Sequence, residues 1–111
     1  MIEYTRQGAV DIVQLQDSLT YSNADRVRTA VEQAIKPGQP RLVLDLRDMA
    51  LCDSQGLELI LDLRDRCVKR GGMFKLAGAS HLCQDILRVT GLLDQIEHYE
   101  DSVQAAGSFA V

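Results

Sequence analysis

Residues 42–78, "LVLDLRDMALCDSQGLELILDLRDRCVKRGGMFKLAG", contain the pattern that decides the fold. A short apolar run that ends in an acid is typical of a buried strand. The leucine-rich run behind Asp53-Ser54 indicates a helix that ends near Arg70, where the glycines at 71–72 can adopt a left-handed stop. The segment "MFKLAG" then predicts a second strand. A strand, a helix and a strand in succession predict a parallel β-α-β unit.

The residues before this unit predict a hairpin and a helix. Apolar and polar residues alternate over residues 2–15, and Gly8 stands where a turn would join two strands. Asn23 precedes apolar residues that recur at spacings of three and four, so it is expected to cap a helix. Pro37 and Pro40 end this helix, because proline lacks the backbone N–H that a helix interior needs.

The residues after the unit predict a helix, a strand and a final helix. Ser80 is expected to cap the first of these helices, "IEHYE" at residues 96–100 is a short strand, and residues 101–109 form the last helix. Strands that alternate with helices predict an α/β fold with a mixed, mostly parallel β-sheet, an N-terminal hairpin and about four α-helices. The length of 111 residues fits a single domain over residues 1–111.

Charge and hydropathy narrow the classes of partner. The chain carries a formal net charge of -4, which disfavours nucleic acid and anionic membrane surfaces as partners, since both attract basic patches. No apolar run approaches the ~20 residues that a membrane-spanning helix needs, so we expect no membrane insertion. The first residues lack the basic and apolar regions of a signal peptide, so none is expected. The three cysteines, expected to be reduced, make the cytoplasm the expected location.

The three cysteines predict neither a metal site nor a redox centre. Cys52, Cys67 and Cys83 are odd in number and widely spaced, and no two of them form a Cys-x-x-Cys pair. Each lies among apolar residues, which favours buried, reduced thiols and a reducing compartment. We therefore expect no metal and no cofactor.

Asp53-Ser54 could serve catalysis, helix capping or modification. A serine hydrolase would need glycine where Cys52 stands and a histidine partner, and His81 and His98 are better explained as surface or helix-end residues. An enzyme is therefore not expected. As a cap, the Ser54 hydroxyl would accept a hydrogen bond from an early helical N–H, stabilising the helix by ~1 kcal/mol. The same helix N-terminus would also suit a phosphoryl group, because its free N–H groups and partial positive charge favour anions.

Residues 42–78 resemble the STAS domain, and in particular the single-domain bacterial anti-sigma factor antagonists. The family pattern is a strand ending in Asp, then Asp-Ser-x-Gly-Leu, a helix, and Gly-Gly before the next strand; residues 53–57 match its central motif. The segment "RVTGLLDQIEHYEDSVQAA", residues 88–106, is similar to the family's last Gly-Leu, strand and helix. The resemblance covers nearly the whole chain.

The resemblance implies a phosphorylation switch. In such proteins the serine after the Asp is phosphorylated by a partner that is both a serine-protein kinase and an anti-sigma factor. The unphosphorylated antagonist binds that kinase and so releases a sigma factor, phosphorylation abolishes binding, and a serine phosphatase resets the switch. Carried over to this chain, the phosphoacceptor is Ser54, and the partner-binding residues are Asp53, Ser54, Gln55, Gly56 and Leu59.

The resemblance also implies separate roles within the turn. Asp53 would shape the turn as well as contact the partner, and Gly56 would leave room for a close backbone approach. We expect the place of Ser54, at a helix start beside an aspartate, to be shared by no other serine. The other serines are Ser18, Ser22, Ser80, Ser102 and Ser108.

Leu59 is assigned to the partner surface from the helical winding. At about 100° per residue, Leu59 falls at the margin of the predicted core face. It could pack under a neighbouring loop, or it could stay partly exposed and anchor the partner. The residues predicted to form the core face are Leu57, Ile60, Leu61, Cys67 and Val68.

Two further points concern the partner. The family usually has Gly-x-Leu-Asp where this chain has residues 16–20. In the family fold this loop neighbours the turn at Asp53-Ser54, called the serine turn below, so its contacts with the partner are expected to differ.

Other single STAS domains are subunits of lipid-transport ABC complexes or of stress-signalling assemblies, and these are the alternative function. The lipid-transport group tends to lack a usable serine, so Ser54 argues against it.

Overall fold

The computed structural model describes residues 2–35 and 38–110. The order of its elements agrees with the sequence prediction, apart from two short 3-10 turns, Leu92–Asp94 and Ser108–Ala110. The predicted helix break at Pro37 lies outside the described residues. The strands are β1 (Ile2–Gln7), β2 (Val10–Leu15), β3 (Arg41–Asp45), β4 (Met73–Ala77) and β5 (His98–Tyr99), and the helices are α1 (Ala24–Ala34), α2 (Ser54–Lys69), α3 (His81–Val89) and α4 (Ser102–Gly107).

One mixed sheet with the strand order β1-β2-β3-β4-β5 organises the protein. Strands β1 and β2 form the predicted antiparallel hairpin, and β2 to β5 run parallel, so the predicted α/β fold class is confirmed. Gly8 joins the hairpin strands with a φ of 61°, a conformation that glycine adopts without strain. Because β2 and β3 are parallel, the loops that follow them meet at one edge of the sheet.

Helices cover the two faces of the sheet unequally. Helices α1, α2 and α3 bury the larger apolar cluster against strand residues such as Leu44 and Leu76. Helix α4 covers a smaller cluster on the other face, around Val43 and Ala77. Since successive residues of β3 face opposite clusters, both faces of this strand are buried, which explains its continuous apolar sequence. No helix in the described part of the chain is long and apolar enough to cross a membrane.

The three cysteines are free thiols in buried positions, as predicted. Burial raises the pKa of Cys52 to about 12 and that of Cys67 to about 11, and it also raises the pKa of Cys83. These thiols therefore stay protonated at neutral pH, which is their less reactive form. Within residues 2–35 and 38–110, no group of three His, Cys, Asp or Glu side chains is placed to hold a metal ion.

The core face of α2 differs from the predicted one. Leu57 and Leu61 are only half-buried, and Val68 is 52% exposed. Gly56 faces the interior and lies against Leu19 in the loop before α1. Glycine has no apolar side chain, so the spacing of apolar residues could not reveal this contact. The buried residues of α2 are Gly56, Leu59, Ile60, Leu63 and Cys67.

Candidate functional site

Asp53, and not Ser54, is the N-cap of α2. The Asp53 backbone is extended, with φ -94° and ψ -175°, and its Oδ1 accepts a hydrogen bond from the Gly56 N–H at 3.0 Å. The capping interpretation of Ser54 is therefore wrong, because Ser54 is the first residue of the helix. Its side chain is exposed, and none of the described residues hydrogen-bonds to its hydroxyl. The cap supplied by Asp53 thus leaves the Ser54 hydroxyl available.

The second carboxylate oxygen of Asp53 ties this turn to the loop between β2 and α1. Its Oδ2 accepts a hydrogen bond from the Tyr21 N–H at 2.9 Å. The backbone N–H groups of Tyr21 and then Gly56 hold the pKa of Asp53 below its ordinary value of 3.8, because they favour the ionised carboxylate. Asp53 therefore shapes the turn and is negatively charged beside Ser54 at neutral pH. Its contact with a partner stays a prediction.

The loop between β2 and α1 lies directly against the serine turn. Leu19 and Cys52 form a parallel bridge between the two loops. In this bridge the Leu19 N–H donates to the Leu51 carbonyl at 2.9 Å, and the Asp53 N–H donates to the Leu19 carbonyl at 3.2 Å. The expected proximity of residues 16–20 to the serine turn is therefore present in this chain.

Asn23 occupies the predicted cap position of α1, but its side chain does not cap the helix. Its Oδ1 accepts a hydrogen bond from the Thr20 N–H at 2.9 Å, and its Nδ2 donates to the Ser18 carbonyl at 2.6 Å. These bonds close the loop on itself, which fixes the segment that contacts the serine turn. Asn and Asp side chains commonly stabilise turns in this way.

Gly56 belongs to the interior and not to the partner surface. It is buried, and a Cβ at this position would lie 2.4 Å from the Leu19 carbonyl oxygen and 2.8 Å from the Cys52 Sγ. The glycine therefore permits a close approach between α2 and the protein's own loop. The assignment of Gly56 to partner binding is wrong, because the protein itself covers this residue.

Leu59 is also internal. It is 0% exposed and belongs to the larger apolar cluster, so its assignment as a partner anchor is wrong and packing inside the protein is the correct interpretation. The large exposed apolar residues next to the turn are Leu51 and Tyr21. The sequence pattern did not single out either residue, because single apolar residues in loops carry no periodic signal.

Gln55 and Ser54 are the exposed members of the assigned partner surface.

Neither histidine activates Ser54: the His98 Nε2 accepts a hydrogen bond from the Ala79 N–H at 3.1 Å, and His81 is exposed at the start of α3. Burial lowers the pKa of His98, which favours the neutral ring. Among the described residues no side chain forms a hydrogen bond with the Ser54 hydroxyl.

Ser102 shares part of the position that was expected for Ser54 alone. Asp101 caps α4, and Ser102 follows it as the first helical residue. The expectation that no other serine stands at a helix start beside an aspartate is therefore wrong. Ser102 differs in being half-buried, whereas Ser54 is exposed.

Comparisons with known proteins agree with this architecture. Residues 1–106 match the model of the STAS domain. The anti-sigma F factor antagonist of Paenibacillus polymyxa is 29% identical over 105 residues, which are 94% of this chain and 90% of that protein.

Two solved structures are similar in fold. A candidate anti-sigma factor antagonist from Thermotoga maritima has a TM-score of 0.92 at 22% identity, covering 99% of this chain and 95% of that chain. An anti-sigma factor antagonist (STAS) domain protein from Planctomyces limnophilus has a TM-score of 0.88 at 22% identity, covering 99% of this chain and 98% of that chain. Because the family model matches residues 1–106 of this chain, the chain belongs to the STAS domain family.

Proposed function

We propose that the chain is an anti-sigma factor antagonist that is switched by phosphorylation of Ser54. In the unphosphorylated form it binds an anti-sigma factor that is also a serine-protein kinase, and so frees a sigma factor. Phosphorylation by that kinase ends the binding, and a serine phosphatase restores it. The observation that carries the proposal is the exposed Ser54 hydroxyl at the start of α2, left free because Asp53 caps the helix. The name of the Paenibacillus polymyxa relative, an anti-sigma F factor antagonist, supports the antagonist role.

A phosphoryl group on Ser54 is compatible with the fold. Ser54 is the first residue of a helix of 16 residues, whose partial positive charge at the N-terminus favours an anion. The residue is exposed and lies outside both apolar clusters, so modification removes no core contact. Phosphorylation would therefore change the surface of the protein and leave its interior intact.

The phosphate would oppose docking through its charge. It adds about -1.5 to -2 charges at pH 7, and a partner that closes over the turn would have to dehydrate this group at a cost of several kcal/mol. It would also stand beside the ionised Asp53 carboxylate, which hydrogen bonds from Tyr21 and Gly56 hold in place. Without the phosphate, docking needs no dehydration of a charged group at Ser54 and brings no second negative charge beside Asp53. One modification can therefore change the chain from a form that binds the partner to a form that does not.

Titration of the cognate kinase tests the proposal. Each GHKL-type serine kinase of the same organism would be purified and titrated with the chain, either unmodified or carrying phosphoserine at position 54. We expect one kinase to bind the unmodified chain and to bind the phosphorylated chain at least ~100-fold more weakly. The chain with phosphoserine at position 102 is the control, and it should still bind.

Two results would contradict the proposed function. Equal binding of the unmodified chain and the Ser54-phosphorylated chain would show that Ser54 is not a switch. Binding to none of the kinases would remove the anti-sigma factor as partner, and would favour the alternative, a STAS subunit of a lipid-transport or stress-signalling assembly.

A further inference from the structure

Two large apolar side chains lie on the loops that surround the exposed serine. Tyr21 is 80% exposed and Leu51 is 58% exposed. Backbone hydrogen bonds place their loops side by side: the Tyr21 N–H donates to the Asp53 Oδ2, and the Leu51 carbonyl accepts from the Leu19 N–H, both at 2.9 Å. The surface formed by Tyr21, Leu51 and Ser54 is called the serine surface below.

The apolar side chains of this surface are not needed for the fold. Neither Tyr21 nor Leu51 belongs to an apolar cluster of the core. The hydrogen bonds that join the two loops use the backbone atoms of these residues, so polar side chains would allow the same connections. One exposed leucine needs no explanation, but here two large apolar side chains are exposed on loops that backbone hydrogen bonds join, where one partner can cover both.

The two chain segments that carry the serine surface hold more acidic than basic side chains. Segments 16–26 and 47–58 carry five carboxylates and two guanidinium groups. This excess of negative charge attracts a partner with a basic rim and speeds its association at low salt. The carboxylates are Asp17, Asp25, Asp48, Asp53 and Glu58, and the guanidinium groups are Arg26 and Arg47. Asp25 is paired with Arg28 of α1, so the other four carboxylates account for the excess.

We propose that Tyr21 and Leu51 are the apolar anchors with which the unphosphorylated chain docks onto its anti-sigma factor, and that this partner presents an apolar recess with a basic rim. The inference rests on the proposed function and assigns its interface. A few well-packed side chains near the centre of an interface, tyrosine prominent among them, carry most of its binding energy, whereas charges at the rim govern association rate and salt dependence. Because Ser54 shares the surface, its phosphate would have to be buried next to the anchors.

Two substitutions and a matched control test the anchors. Tyr21→Ser and Leu51→Ser remove the apolar side chains and keep the backbone hydrogen bonds of both loops. Val89→Ser removes another exposed apolar side chain, 86% exposed on α3 and outside the serine surface. Calorimetric titration of the kinase that binds the unmodified chain should give a dissociation constant at least ~10-fold weaker for each anchor variant and within ~2-fold for Val89→Ser. Melting temperatures within about 3 °C of the unmodified chain confirm that all three variants fold.

The salt dependence tests the basic rim. Raising sodium chloride from about 0.05 M to about 0.5 M should slow the association of the unmodified chain with the kinase at least ~10-fold. An association rate that does not change with salt would contradict the proposal that the partner has a basic rim.

The remaining outcomes separate this inference from the proposed function. If Tyr21→Ser and Leu51→Ser both bind the kinase as tightly as the unmodified chain does, the assignment of Tyr21 and Leu51 as anchors is wrong and the proposed function stands. If Val89→Ser weakens binding as much as they do, the docking site is not the serine surface. If the unmodified chain binds no kinase, the proposed function itself is wrong.

Discussion

The dipeptide Asp-Ser begins two helices of this protein, and the two helix starts differ in their surroundings. Asp53 caps α2 and is followed by Ser54, while Asp101 caps α4 and is followed by Ser102. In both cases the aspartate side chain accepts a hydrogen bond from the backbone N–H three residues later, at 3.0 Å in α2 and 2.8 Å in α4. The local capping interaction is therefore the same in the two helices.

The difference lies in what else joins each turn. Asp53 also binds the N–H of Tyr21, so a second loop lies beside Ser54, and α2 continues for 16 residues. Helix α4 has only 6 residues, and Ser102 is half-buried. An aspartate cap thus makes a candidate switch when a second loop lies against an exposed serine, which the dipeptide alone does not reveal.

The largest expected difference between the two helices concerns their glycines. Gly56→Ala should lower the free energy of unfolding by about 3 kcal/mol, because the new Cβ would lie 2.4 Å from the Leu19 carbonyl oxygen. Gly107→Ala, in α4, meets nothing within 4 Å and should change the free energy of unfolding by less than ~1 kcal/mol. Urea unfolding measures both values. Equal stability of the two variants would mean that α2 does not depend on its contact with the loop.

Sequence patterns predicted the fold well because its elements are local. Strand β3 is a short apolar run bounded by turn residues, and a turn glycine joins the two strands of the hairpin. The rotation of α2 was predicted wrongly because apolar residues from Leu57 to Val68 occupy two overlapping faces of the helix, and the buried face is the one that includes Leu63. Leu59 lies on this buried face, so the error in the predicted site follows from the error in rotation.

The sequence also could not show which residue is the N-cap of α2. Aspartate and serine are both strong N-cap residues, and here they are adjacent, so propensity does not choose between them. The extended backbone of Asp53 and its bonds to Gly56 and Tyr21 make the choice. The location of the serine turn itself was correctly expected, because the family resemblance covers residues 42–78.

The next largest difference should appear when the two caps are removed. Asp101→Ala should cost about 1 kcal/mol of stability, the usual value for a lost N-cap. Asp53→Ala should cost more, because the Tyr21 N–H loses its acceptor together with the N–H of Gly56. Urea unfolding of both variants gives the comparison. A smaller loss for Asp53→Ala than for Asp101→Ala would contradict a role of Asp53 between the two loops.

The loss of stability at acid pH measures how much the negative charge of Asp53 stabilises the fold. Its pKa is lower in the folded state than the ordinary value of 3.8, so the folded protein binds fewer protons at this site than the unfolded chain. The resulting stability is present at neutral pH and is lost as the pH falls below about 4 through the folded-state pKa. Asp53→Asn should therefore lose less stability than the unmodified chain between neutral pH and about pH 3. Identical pH profiles would mean that the charge of Asp53 does not stabilise the turn.

The smallest effect on stability is expected from a carboxylate at either serine. Ser54→Asp and Ser102→Asp should each change the free energy of unfolding by less than ~0.5 kcal/mol, because a negative charge in the first turn is favourable for a helix. Only Ser54→Asp should lose kinase binding. A melting temperature many degrees lower for Ser54→Asp would show that the serine has a structural role.

Phosphosite mapping tests the central claim most directly. The chain would be incubated with ATP and the kinase that binds it, alongside Ser54→Ala and Ser102→Ala, and the modified residue would be located by mass spectrometry. We expect phosphoserine at position 54 in the unmodified chain and in Ser102→Ala, and no phosphorylation of Ser54→Ala. Phosphorylation of another serine, or of the Ser54→Ala chain, would contradict the assignment of Ser54 as the switch.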